Sequence, residues 1–134
     1  MKKYRLTEET TKVGNRTLYR IQALRDFGNV KEGDIGGYIE SEKNLIQDGN
    51  AWVYGDADIK TTGDICSMSG FGSKYRTTTA FRTKNGDVHV SCGCFFGSLE
   101  AFCQRVESTH GNNLYGREYK KMIEMLKIHF EVEP

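Results

Sequence analysis

The polar and apolar positions of this 134-residue chain fall into four successive patterns. The first is alternating. Tyr4-Arg5-Leu6 and Leu18-Tyr19-Arg20-Ile21-Gln22-Ala23 flank the turn pair Gly14-Asn15 and predict an N-terminal β-hairpin. The second has a period of six. Gly49-Asn50-Ala51-Trp52-Val53-Tyr54 is followed by Gly55-Asp56-Ala57-Asp58-Ile59-Lys60, and aliphatic or aromatic positions recur at Ile65 and Phe71. A small residue, a turn former and one aliphatic per unit predict short strands and corners of a β-solenoid, running from about Asn44 to Phe71. So few units bury their faces only by leaning on flanking chain or on another copy. The glycines of Gly33-Asp34-Ile35-Gly36-Gly37 predict tight turns at the entry.

The third pattern alternates again. Arg76–Lys84 and Asp87–Cys92 are separated by Asn85-Gly86, a two-residue hairpin signal. That loop pairs Lys84 with Asp87 and Phe81 with Val90. It places Phe81, Val88, Val90 and Cys92 on a core face, and Arg82, Lys84 and His89 on a wet, basic one. The fourth is helical. Ser98 is an N-cap, and Leu99, Phe102, Cys103 and Val106 form a stripe closed by Gly111. A second helix spans about 117–130, with Tyr119, Met122, Ile123, Leu126 and Phe130 inward. The expected fold is α+β and predominantly β: residues 1–72 as hairpin plus short β-solenoid, residues 73–134 as hairpin packed on two helices.

Net charge is +1 but unevenly spread. Residues 2–25 carry seven Lys/Arg against Glu8 and Glu9, residues 26–64 carry nine acids against three lysines, and residues 74–84 carry four basic residues and no acid. Two binding faces follow. The acidic one offers Glu40, Glu42, Asp48, Asp56 and Asp58 to a basic groove on a protein. The basic one offers Lys74, Arg76, Arg82, Lys84 and His89, with a threonine row, to phosphates of a nucleotide or nucleic acid. No apolar run approaches the ~20 residues of a membrane span, and the basic N-terminus lacks the apolar stretch of a secretory signal. The four cysteines then suit a reducing cytoplasm and no membrane partner.

Candidate chemistry is sparse. His89, Cys92, Cys94, Cys103 and His110 lie close in sequence, but one residue between Cys92 and Cys94 is a poor zinc spacing, and Cys103 falls on an apolar stripe. No metal or cofactor is expected. Cys94 lies near the Ser98 helix start, yet His89 faces away from Cys92, and no catalytic motif is present. Acyl transfer, known for six-residue-repeat solenoids, is set aside because the coils are few and the first histidine is His89. These residues read as a non-enzyme and, through the exposed coil ends at Trp52, Val53, Ile59 or Ile65, as a homo-oligomer.

Thr17-Leu18-Tyr19-Arg20-Ile21 through Asp34-Ile35-Gly36-Gly37-Tyr38-Ile39-Glu40 into Gly49–Gly55, with Cys92–Gly97 and Thr109–Asn113, resembles small uncharacterised proteins of bacteriophage and prophage genomes. These carry an N-terminal module similar to polymer-forming, hexapeptide-repeat proteins. The resemblance implies a phage protein that occupies a surface of a host protein complex, such as an anti-CRISPR inhibitor of host defence. The alternatives are a sponge for an anionic nucleotide signal and an oligomerising structural protein.

Overall fold

The computed structural model describes residues 2–132. Among these residues, eight strands form two four-stranded sheets, and two helices cover the second. The first sheet has the order β1 (Tyr4–Val13), β2 (Arg16–Ala23), β3 (Ile35–Ile39), β4 (Asp58–Ile59). The N-terminal hairpin forms as the alternation predicts. Val13 pairs with Arg16 across the loop Gly14-Asn15, and Gly14 takes φ +62°, the first-position glycine of a type II′ loop.

The six-residue units are laid down differently from the expectation. Asn44–Ala57 contains no strand, and β4 is two residues long. The chain leaves β3 at Ile39, makes one turn, and returns parallel to it, Tyr38 opposite Asp58 and Ile39 opposite Ile59. Backbone bonds from Gly37 N to Val53 O and from Tyr38 N to Ala57 O hold the turn against β3. Ile65 and Phe71 do not continue the period. They bound β5 (Ile65–Phe71), which pairs antiparallel with β6 (Arg76–Arg82) in the second sheet. The sheets therefore divide at 60–64.

Gly36 and Gly37 lie inside β3, and they are there for closeness rather than for a turn. A Cβ on Gly36 would strike the Trp52 ring, and one on Gly37 the carbonyl oxygen of Tyr54 and the Ala57 methyl. Beneath them Tyr4, Ile21, Ile39, Leu45, Trp52, Val53 and Ile59 form the first core. Trp52, Val53 and Ile59 are at most 2% exposed, so the coil ends expected to drive oligomerisation are covered by the chain itself. Lys3 is also buried there. Its Nζ donates to Ala51 O at 2.7 Å and sits over the Phe27 ring, tying the first strand to the repeat segment.

The second sheet runs β5, β6, β7 (Val88–Cys92), β8 (Phe95–Ser98), all antiparallel. Here the register departs from the expected two-residue loop by one position. Phe81 pairs with His89 and Ala80 with Val90. Thr83 N bonds Asp87 O, Gly86 N bonds Thr83 O, and of the loop residues only Gly86 takes positive φ (+84°). A two-residue type I′ loop needs positive φ at both positions, so the chain forms a three-residue loop with glycine in the left-handed site. The slip turns Phe81 to the face opposite Val88, Val90 and Cys92.

Phe81 consequently enters the first core, while Ala80, Val88, Val90 and Cys92 meet the helices α1 (Leu99–Thr109) and α2 (Leu114–His129) in a second core. The Ser98 hydroxyl caps α1 by accepting from Ala101 N, and Gly111 (φ +57°) ends the α1 turn. Asn113 caps α2, three residues earlier than the apolar stripe alone suggests, by accepting from Gly116 N.

Two outcomes test this packing. Gly37→Ala should cost about 2 kcal/mol or more through overpacking, whereas Gly55→Ala, which meets open space, should stay within about 0.5 kcal/mol; denaturant melts compare them. Burial, then repulsion from Arg25, lowers the Lys3 ammonium from 10.5 to about 8. Between about 8 and 10.5 the unfolded chain then holds the proton more strongly than the fold, so Lys3 makes stability rise with pH there. Subtracting the Lys3→Met profile from the wild-type one isolates that rise, and a difference that stays flat from about pH 7.5 to about pH 10 contradicts it.

Candidate functional site

β6 and β7 present Thr79, Phe81, Thr83, His89 and Ser91 toward the first sheet. The repeat segment lies along them. Trp52 N donates to Thr79 Oγ1 at 3.4 Å, and the Ser91 hydroxyl donates to Trp52 O at 3.5 Å. At the other end of the contact, Lys84 N donates to Asp56 O and Ala57 bridges to Thr83. Where the layers splay beyond Thr79, a cleft of about 190 Å³ opens. Its first wall is Gly28, Asn29, Asn50, Trp52 and Tyr54; its second is Arg76, Thr77, Thr79, Ser91 and Gly93.

The wall chemistry is one-sided. Among the described residues, Arg76, at the start of β6, brings the only formal charge to the cleft, and no carboxylate lines it. Hydroxyls and amides make up most of the remaining polar groups. Gly93 (φ +60°) follows β7 in the two-residue β7–β8 loop, and a Cβ there would collide with the Arg76 guanidinium. Glycine at this point both makes the turn and leaves room for the cation. A guanidinium fork beside hydroxyl and amide donors matches the donor pattern that phosphate oxygens accept.

Of the basic residues expected to form one face, Arg76 alone lines this cleft. Lys74 is exposed in the β5–β6 turn. Arg82 donates to Phe130 O at 2.7 Å and to Gly86 O at 3.0 Å, and its guanidinium lies over the Phe130 ring, so it fastens the end of α2. Lys84 projects from the hairpin loop. His89 is half-buried among the rings of Phe81 and Phe96, its Nδ1 without a hydrogen-bond partner among the described residues. Arg82 and His89 share a hollow of about 510 Å³ with Asp87, Glu100 and Glu131, whose carboxylates oppose an anion. The expected basic face is divided because Lys74 and Arg76 lie at the other end of β6 from Arg82, Lys84 lies in the loop, and the register slip turns His89 to the opposite side of the sheet.

The acidic residues are also dispersed. Glu40 pairs with Arg16 at 2.7 Å, and Glu42 with Lys2 at 3.0 Å, a bond that holds the Glu42 carboxyl below its ordinary value. Asp58 is buried, and desolvation pushes its carboxyl up against the pull of Lys60 and Lys84. Asp48 and Asp56 are exposed, as is the paired Glu42. Asn29, Asn50, Ser91 and Gly93 were not singled out as site residues from the sequence. The available signals were the turn dipeptides Gly28-Asn29 and Gly49-Asn50, which mark where backbone bends toward a neighbour.

The cysteines are all free thiols. Cys92 is buried against α2, its sulfur 3.2 Å from the Thr78 hydroxyl and 3.6 Å from the Tyr119 hydroxyl. Burial, then this thiol, raises the Tyr119 phenol, whose ring stacks on His110. Cys94 stands exposed in the turn. Among the described residues, no three His, Cys, Asp or Glu side chains converge as metal ligands. No helix among them is long and apolar enough to cross a membrane.

No family model matches the chain, and no solved structure matches it. A protein of Escherichia coli (strain K12), described as "Uncharacterized acetyltransferase YdcK", is 37% identical over 75 residues. The match covers 50% of this chain and 23% of that protein, so the chain spans less than a quarter of its relative's length. This overturns the expectation of a non-enzyme. The relative carries the name of an acetyltransferase, and acyl transfer, set aside for few coils and a late first histidine, returns as a reaction to test.

Alkylation of the native protein should modify Cys94 first and leave Cys92 intact until unfolding, because thiolate chemistry needs access. Peptide mass mapping after a timed iodoacetamide pulse checks the order, and early loss of Cys92 contradicts it.

Proposed function

We propose that this chain binds a phosphate-bearing small molecule in the cleft between its two sheets. One observation carries the reading: an arginine, hydroxyls and amides converge on a hollow that, among the described residues, no carboxylate lines. At about 190 Å³ the cleft is smaller than the ~300 Å³ at which pockets for whole drug-sized ligands begin. It suits a phosphate and the sugar beside it, with the remainder of the ligand outside along Asn29 and Asn50. We read the turn between β3 and β4 as a single coil of the hexapeptide-repeat type, whose task is to supply one wall.

Two settings use such a ligand. In the phage setting that the sequence resembles, uptake of a nucleotide signal would blunt a host defence. In the setting of the E. coli relative, the acetyl donor coenzyme A thioester also carries phosphates. The reading in which an acidic surface grips a host protein has less support, since Glu40 and Glu42 already pair with Arg16 and Lys2 and Asp58 is buried.

Calorimetric titration with linear and cyclic nucleotides and with acetyl-coenzyme A tests the proposal. Arg76→Ala should weaken the bound member about tenfold to a hundredfold, the loss of a charge-assisted hydrogen bond worth roughly 1.5–3 kcal/mol. Lys84→Ala should leave affinity within about twofold, as an exposed charge away from the cleft. Release of free coenzyme A on adding an amine acceptor would mark the acetyl-transfer setting. No binding by any of these ligands, with Asp48→Lys/Asp56→Lys disrupting a host-protein complex instead, sinks the reading.

A further inference from the structure

Arg76 lines two hollows. Besides the cleft between the sheets, a second hollow of about 100 Å³ lies between the β7–β8 loop and the two helices, and Arg76 and Cys92 border both. Buried Phe102 and Tyr119 give it an apolar floor. Exposed Arg76, Arg105 and Thr109, with half-buried His110, stand around it. Among the described residues, no carboxylate lines this hollow and neither arginine forms an ion pair. The acids on the adjoining helix turns are engaged elsewhere: Glu107 pairs with Lys120 at 2.9 Å, and the Glu118 carboxylate accepts from Gly72 N at 3.3 Å. The end of α1 opposes an anion less than its dipole suggests, because Val106 O and Glu107 O already accept from His110 N and Gly111 N.

Both cations are held in place. Gly93, in the left-handed region at φ +60°, leaves the space that the Arg76 side chain fills, and the Arg105 guanidinium lies 5.3 Å from the centre of the Phe95 ring. Two unneutralised cations on one small hollow repel each other, and an apolar floor strengthens the field they create there. An anion between them relieves both effects.

We infer that this hollow takes the second phosphoryl group of the ligand, so that cleft and hollow together recognise a diphosphate with Arg76 between its two groups. The inference rests on the cleft being a phosphate site. A guanidinium presents five N–H donors, enough to serve two neighbouring phosphoryl groups at once. One shared side chain requires those groups to be adjacent, as in a nucleoside 5′-diphosphate or in the diphosphate of coenzyme A. Arg105 then holds the outer group.

Calorimetric titration of the full chain with AMP, ADP and coenzyme A reads the subsite. A diphosphate should bind about tenfold more tightly than AMP, through one further charge-assisted contact. Arg105→Ala should bring it down to the AMP level with circular dichroism unchanged. The compound that shows the gain tells the source, ADP a free nucleotide and coenzyme A an acyl donor, and either supports the subsite when Arg105→Ala removes the gain. Equal affinities for all three, or a gain that survives Arg105→Ala, overturn the inference and leave the cleft standing. Binding confined to cyclic nucleotides, which hold no diphosphate, does the same. No binding by any nucleotide or by coenzyme A overturns the inference together with the cleft.

Discussion

The structure depends on one constraint, that β6 is buried on both faces. Phe81 points into the core under the first sheet, and its neighbour Ala80 points into the core under the helices. A strand in that position cannot present a charged face to solvent, because an unpaired cation in either core would cost several kcal/mol. Its hydroxyls are used instead. Thr78 bonds Cys92, and Thr79 accepts from Trp52, so the threonine row is an internal seam.

The repeat segment follows from the same constraint. A single turn of chain cannot bury Trp52, Val53 and Ile59 by stacking on further turns, as longer repeat arrays do. It buries them between β3 and β6. Gly36 and Gly37 let the turn approach β3 closely, and Lys3 satisfies the Ala51 carbonyl from within the core. The cleft is a by-product of this geometry. The layers meet through Thr79 and Ser91 and part beyond them, and Arg76 stands where they part.

The E. coli relative bears on half of the chain, and its name changes which chemistry is worth testing. Under the proposed reading, Arg76 would anchor a phosphate whether the ligand is a nucleotide signal or an acyl donor. These readings differ in what happens to the ligand after binding, and they share the same anchoring cation.

Local physics made much of this protein legible without coordinates. The Gly14-Asn15 hairpin, the Ser98 cap, the inward stripes of both helices and the α+β class follow from propensity and periodicity, which act over a few residues. The candidate site was legible in part: Arg76 and the threonine row were visible, but their partners across the cleft come from two separate upstream turns, at Gly28-Asn29 and at Gly49-Asn50. Two features belonged to tertiary structure alone. The hairpin at Asn85-Gly86 admits two- and three-residue loops, and the three-residue one seen here sends Phe81 into the core under the first sheet rather than toward the helices. That one-position choice inverts every side chain on the strand and turns His89 to the side of the sheet opposite Arg82. The period of six likewise predicts strands at each unit, yet with a single turn there is no neighbouring coil to pair with. The backbone of those residues takes its hydrogen bonds from β3 and β6, because a strand needs a partner and the pattern itself does not supply one.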